Sequence, residues 1–75
     1  MTQMTPGQAM KAARKELGLS TVELARALGY EAERAQAQAQ IRRYESDSRP
    51  VPPWIQRLVE MYRRHGVPPE WRQRT

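Results

Sequence analysis

Ser20-Thr21-Val22-Glu23-Leu24-Ala25-Arg26-Ala27-Leu28-Gly29 is the stretch on which the reading of this chain turns. Ser20 and Glu23 have the spacing of a capping box, in which the hydroxyl accepts a first-turn amide and the carboxylate reaches back to the cap's own N–H. Leu24, Ala25 and Leu28 form a short apolar stripe, and Gly29 supplies the left-handed residue that ends the helix and reverses the chain. The stretch predicts a helix of two turns over about 21–28, closed at both ends by its own residues.

Upstream, Thr5-Pro6-Gly7-Gln8 opens another helix by the same logic. Thr5 caps, Gln8 reaches back, and Pro6 takes the first helical position, where a missing N–H is harmless. Met10, Ala13 and Leu17 share one face, Lys11, Arg14 and Lys15 lie off it on a basic wet side, and Gly18 stops the helix. The expected span is about 6–17, which leaves only a tight turn before Ser20.

Downstream, residues 31–47 contain neither glycine nor proline and are rich in Ala, Gln, Arg and Glu, all good helix formers. Residues 35–40 alternate Ala and Gln, but small Ala against polar Gln gives no strand-like burial, so a helix over about 32–46 is expected. At 100° per residue Ala37, Ile41 and Tyr44 fall on the buried side. The opposite arc carries Ala35, Gln36, Ala39, Arg42, Arg43 and Ser46, with Gln38 and Gln40 on its flanks. The prolines of Ser48-Arg49-Pro50-Val51-Pro52-Pro53 then enforce an extended linker. Ile55, Leu58, Val59 and Tyr62 predict a last helix over about 53–65, ended by Gly66, with a short turn over about 68–72 and fraying beyond.

The sequence has 75 residues, no cysteine, one histidine and a net charge of +5. That length suits one small domain, and a core this size supplies a stability of only about 3–5 kcal/mol. Without cysteines there is no disulfide framework or thiolate metal site, and His65 alone cannot build a transition-metal centre. No paired catalytic constellation is present, so neither an enzyme nor a cofactor is expected. No apolar run approaches the length of a spanning helix, and residues 1–7 have neither a basic start nor an apolar stretch. A soluble cytoplasmic protein without membrane association is expected, held by its charge near an anionic partner. Charge alone does not distinguish nucleic acid from an acidic protein or a lipid surface.

The pattern distinguishes them better. Two short capped helices, a glycine reversal, and a helix with one apolar face and one Gln/Arg face make the plan of a helix-turn-helix reader. Arg pairs with guanine and Gln with adenine through two parallel hydrogen bonds, while Ala permits close approach and touches thymine methyls. The expected fold is all-α, a small four- to five-helix bundle containing a helix-turn-helix, nucleoid-associated when bound to DNA.

Over roughly residues 4–62 the chain resembles the Cro and phage-repressor (Xre-type) helix-turn-helix regulators. The resemblance rests on Leu17-Gly18-Leu19-Ser20, Glu23 through Gly29, Ile41-Arg42-Arg43-Tyr44-Glu45 and Arg49-Pro50-Val51-Pro52. It implies that Ala25 lets the two helices pack closely, that Ile41 and Tyr44 anchor the recognition helix, and that Glu45 is its closing acid. It implies a phosphate contact at Thr21, base-edge contacts at Gln38, Ala39 and Arg43, and a backbone or minor-groove contact at Arg49. Gln36, Gln40 and Arg42 join the base-reading candidates, and Ser20 and Arg34 the backbone candidates. The segment between Gly29 and Ile41 is longer than the family's, and the usual Ser or Thr cap of the recognition helix is absent; residues 30–36 either lengthen that helix or form a wing-like loop.

The resemblance further implies a dimeric repressor on an inverted-repeat operator of a phage or mobile element, such as a toxin–antitoxin or anti-CRISPR operon. Each feature also has a plainer reading. The Ala/Gln run alone fits a solvated helix, and Arg42 and Arg43 alone fit a solvated pair. Arg57, Arg63, Arg64, Arg72 and Arg74 read as solvation and long-range attraction, Trp54 and Tyr62 as core or interface, and Met61 and Trp71 as apolar surface for a second subunit. The rival function is a protein-interaction module, an antitoxin or polymerase-binding adaptor, on the same scaffold.

Overall fold

The computed structural model describes residues 3–72, which are all-helical, with no strand among them. Helix α1 runs Pro6–Glu16, α2 Thr21–Ala27, α3 Arg34–Glu45 and α4 Pro53–His65, followed by a 3-10 turn at Pro69–Trp71. None of these helices is long and apolar enough to cross a membrane. Residues 73–75 of the expected fraying tail, including Arg74, lie outside the described residues.

Both capping boxes form. Thr5 Oγ1 accepts from the Gln8 amide at 3.1 Å while Gln8 Oε1 accepts from the Thr5 amide at 3.0 Å. Ser20 Oγ accepts from the Glu23 amide at 3.1 Å while Glu23 Oε1 accepts from the Ser20 amide at 2.9 Å. The first two helices end alike: with φ of +72° at Gly18 and +94° at Gly29, the Leu19 amide donates to Arg14 O and the Tyr30 amide to Ala25 O, each at 3.0 Å. That 6→1 bond satisfies a carbonyl the helix would otherwise leave open.

The third helix begins later than the composition suggests, at Arg34, and the open question about residues 30–36 resolves into a short loop followed by helix. The cause is Arg26, whose Nη1 donates to Tyr30 O at 2.9 Å and to Ala32 O at 2.7 Å. Carbonyls that would accept the first helical bonds are thereby held by a guanidinium on α2. Glu33 stands at the cap without a side-chain hydrogen bond. At the other end Asp47 takes the left-handed conformation usually left to glycine, at φ +61°.

The core is drawn from all four helices. Leu24 of α2, Ile41 of α3 and Ile55 of α4 are wholly inaccessible, with Met10 and Ala13 of α1 and Val51 of the proline linker closing around them. Ala37, Ile41 and Tyr44 do form the inward face of α3, as spacing predicts. Leu17 and Leu58 are only partly buried against the core, and Trp54 is 53% exposed rather than inside. α2 packs chiefly on α3, and α1 lies across both α3 and α4.

Arg14 departs most from expectation. It belongs to no wet face: its side chain is 14% exposed and forms a two-pronged ion pair with Glu45, Nε to Oε2 at 2.6 Å and Nη2 to Oε1 at 3.2 Å. Its remaining Nη1 donates to Leu19 O at 3.0 Å, so one residue joins α1, the turn before α2, and the end of α3.

Tyr62 fastens α4 by donating its buried hydroxyl to Ala27 O at the end of α2. Burial pushes this phenol above its ordinary value of 10.0. The neutral form is therefore favoured by folding, so its contribution is complete below about pH 10 and is lost as pH rises through the higher folded value. Tyr62→Phe is expected to lower stability by about 1 kcal/mol at neutral pH. Urea titrations at rising pH should show that difference narrowing above about pH 10; a difference constant up to pH 11 would contradict the placement of this hydroxyl.

Candidate nucleic-acid interface

Once Ala37, Ile41 and Tyr44 are turned inward, the rest of α3 is committed to an outer arc. Arg34, Ala35, Gln36, Arg42, Arg43 and Ser46 are exposed, and Gln38, Ala39 and Gln40 are half-buried. The only carboxylate within the helix is Glu45, and it is turned to Arg14. The arc is thus an uninterrupted Gln/Arg surface, small at Ala35 and Ala39, on a helix of 12 residues.

Two shallow recesses flank it. On one side Gln36, Ala39, Gln40 and Arg43 meet Tyr30 and Ala32 of the preceding loop. On the other, Arg42 and Ser46 face Thr21 at the start of α2 and Lys11 of α1, above the Arg14–Glu45 pair. Gln38 and Arg34 line neither recess, and both the hydroxyl and the amide of Ser20 are engaged in its capping box. The structure therefore gathers Gln36, Ala39, Gln40 and Arg43 in one group and Thr21 and Arg42 in another.

Arg49 joins the first group from the linker. Its Nη1 donates to Gln40 Oε1 at 2.9 Å, Gln40 Nε2 donates to the Tyr44 hydroxyl at 3.2 Å, and that hydroxyl lies 3.1 Å from the Tyr30 hydroxyl. The Tyr30 phenol is raised above its usual value, first by burial and then by the Tyr44 hydrogen bond, with Gln40 and Arg49 opposing the rise.

Reading the sequence alone misses Lys11 and Tyr30. Lys11 stands one turn before Arg14 on the same side of α1, and only the tertiary pairing of Arg14 with Glu45, which the sequence does not announce, brings it to the edge of α3. Tyr30 gives no signal beyond its place after Gly29.

Away from this surface, Glu60 holds Arg63 at 2.7 Å and Arg64 at 2.9 Å, and these hydrogen bonds pull its carboxyl down to about 2. Arg63 and Arg64 thus have a carboxylate partner on their own helix, whereas Arg42 and Arg43 lie on the outer arc of α3 and Lys11 and Arg49 border it. Among the described residues no cluster of His, Asp or Glu could hold a metal ion.

The class that fold and surface define is a small all-helical protein carrying a cationic helix face. No family model, curated protein or solved structure matches the chain. The functional reading accordingly rests on the residues themselves.

Proposed function

We propose that this protein is a sequence-specific reader of double-stranded DNA of the helix-turn-helix kind, with α2 and α3 as the paired helices and α3 in the major groove. The observation that carries the reading is the outer arc of α3, where Gln and Arg side chains alternate with alanine and no carboxylate faces outward. Such residues form paired hydrogen bonds with purine edges, and the alanines let the helix approach. Lys11, Thr21 and Arg42 then border the place where a phosphate of the flanking backbone passes, and Arg49 extends the positive edge.

One such helix reads half a site, and a symmetric pair doubles the contacts. Met61, Trp54 and Trp71, which are 57, 53 and 48% exposed, offer apolar area for a second copy. A homodimer seated on a promoter excludes polymerase without a further domain, which favours a repressor, in keeping with the phage-repressor family its motifs resemble. No cofactor enters this reading, and its setting is the nucleoid of the cytoplasm.

Selection of bound duplexes from a random pool tests the proposal. An inverted repeat with half-sites about ten base pairs apart is expected. Arg43→Ala should cost about 1–3 kcal/mol and relax preference at one base position. Lys11→Ala should weaken all duplexes alike and reduce the slope of log K against log salt by about one. No enriched motif from folded protein would replace this reading with the protein-interaction module, whose docking surface would then be the exposed apolar side of α4.

A further inference from the structure

We infer that Gln40 is a positioning residue that sets the guanidinium of Arg49 against the nucleic-acid backbone, and that base reading on that flank of α3 belongs to Gln36 and Arg43. This rests on the DNA-binding reading above and assigns roles within the same surface.

A glutamine reads adenine with both ends of its amide, the oxygen accepting from the base's exocyclic amine while the nitrogen donates to its ring nitrogen. In Gln40 both ends already have protein partners. Oε1 accepts from Arg49 Nη1 at 2.9 Å and Nε2 donates to the Tyr44 hydroxyl at 3.2 Å. The Tyr44 side chain is held in turn, since the residue is only 4% exposed and its hydroxyl meets that of Tyr30 at 3.1 Å. Gln40 is therefore fastened at its inner end to a group that cannot move without opening the core. Its outer end grips a side chain nine residues on, in the linker that follows the helix.

A free arginine has many rotamers to lose, and a contact with phosphate must overcome that entropy. One prong of Arg49 is held by Gln40, and its own amide donates to Arg43 O at 3.2 Å, which fixes the backbone from which it springs. The other donors of its planar fork remain to meet a phosphate oxygen in a direction already chosen. Gln36 and Arg43 line the same recess as Gln40 and are exposed, so they are the polar groups there positioned for a base edge.

The test compares the wild-type chain with Gln40→Met, Arg49→Met and the double variant. Each is checked for an unchanged helical signal and melting midpoint, then measured for affinity and salt slope on duplexes selected from a random pool. Gln40→Ala stands in should the methionine variant not fold. Arg49→Met is expected to weaken every duplex about ten-fold and to lower the salt slope by about one. Gln40→Met should weaken them about three- to five-fold with the same base preferences, and the double variant should be within about two-fold of Arg49→Met alone.

A change of base preference in Gln40→Met with a full salt slope would make Gln40 a reader and overturn the inference. Simple additivity of the two losses would overturn it as well, leaving the DNA-binding reading intact. A wild-type chain that enriches no duplex would sink that reading and this one together.

Discussion

Glu45→Ala is expected to lower the stability of this protein by about 3 kcal/mol, enough to leave a large part of the chain unfolded. The substitution removes more than a contact. Arg14, 14% exposed, would keep its charge while losing both prongs of its partner, retaining only Leu19 O as an acceptor. A guanidinium left in such a place without its carboxylate is costly, because little water reaches it. It must draw in water or leave, and leaving lifts α1 from the end of α3.

Replacing both members by apolar residues of similar volume, Arg14→Met with Glu45→Leu, should recover most of the loss, because neither charge then needs a partner. Guanidinium chloride titrations of the two single variants and the pair would check this. If Glu45→Ala lost less than about 1 kcal/mol, the pair would be behaving as an exposed one.

The second large effect concerns Gly7, for a reason unrelated to backbone freedom. A Cβ built there would collide with the carbonyl oxygen of Tyr44 and stand 2.7 Å from Asp47 Oδ1. The carboxylate could turn aside, but the carbonyl belongs to the main chain of α3. Alanine favours a helix over glycine by about 1 kcal/mol, yet the clash would force the start of α1 away from α3, for a net loss of about 2–3 kcal/mol.

Asp47 sharpens the expectation. Its carboxylate accepts from the Gly7 amide at 3.0 Å and from the Thr5 hydroxyl, so it serves as an anionic cap for α1 from 40 residues away in sequence. Asp47→Ala, which removes that cap without any clash, should lose about 1–2 kcal/mol. Thermal melts would rank the two variants, and a Gly7→Ala protein as stable as wild type would mean that α1 does not approach α3 as described.

The first two helices were legible in the sequence because their ends are built from local signals. Thr5 with Gln8, Ser20 with Glu23, and Gly18 and Gly29 act within one turn of themselves, so spacing alone reveals them. The inward face of α3 was legible for the same reason, as Ala37, Ile41 and Tyr44 leave no other choice of side.

What escaped were the long-range polar contacts. Nothing near Arg14 tells of Glu45, nothing near Gly7 tells of Tyr44 or Asp47, and the Arg26 clasp that delays the start of α3 joins a helix to a loop. For the candidate interface, the outer arc followed from the apolar pattern. The division of that arc into two recesses, with Tyr30 and Lys11 on their rims, needed the packing of α1 and the loop to be seen.

The two sides of α3 answer to different demands, and this bears on how such a protein can diverge. Ala37, Ile41 and Tyr44 tie the helix to the core, and Glu45 ties it to α1 through Arg14. Gln36, Arg42 and Arg43 stand exposed on the other side. Substitutions there leave the core untouched, so under the proposed DNA-reading role descendants of one ancestor would acquire new preferences in few steps while keeping the same scaffold. Gln40 is the exception, tied to both sides at once through Tyr44 and Arg49. Among relatives it would be expected to change only in company with its two partners, leaving a trace of linked inheritance along an otherwise freely varying face.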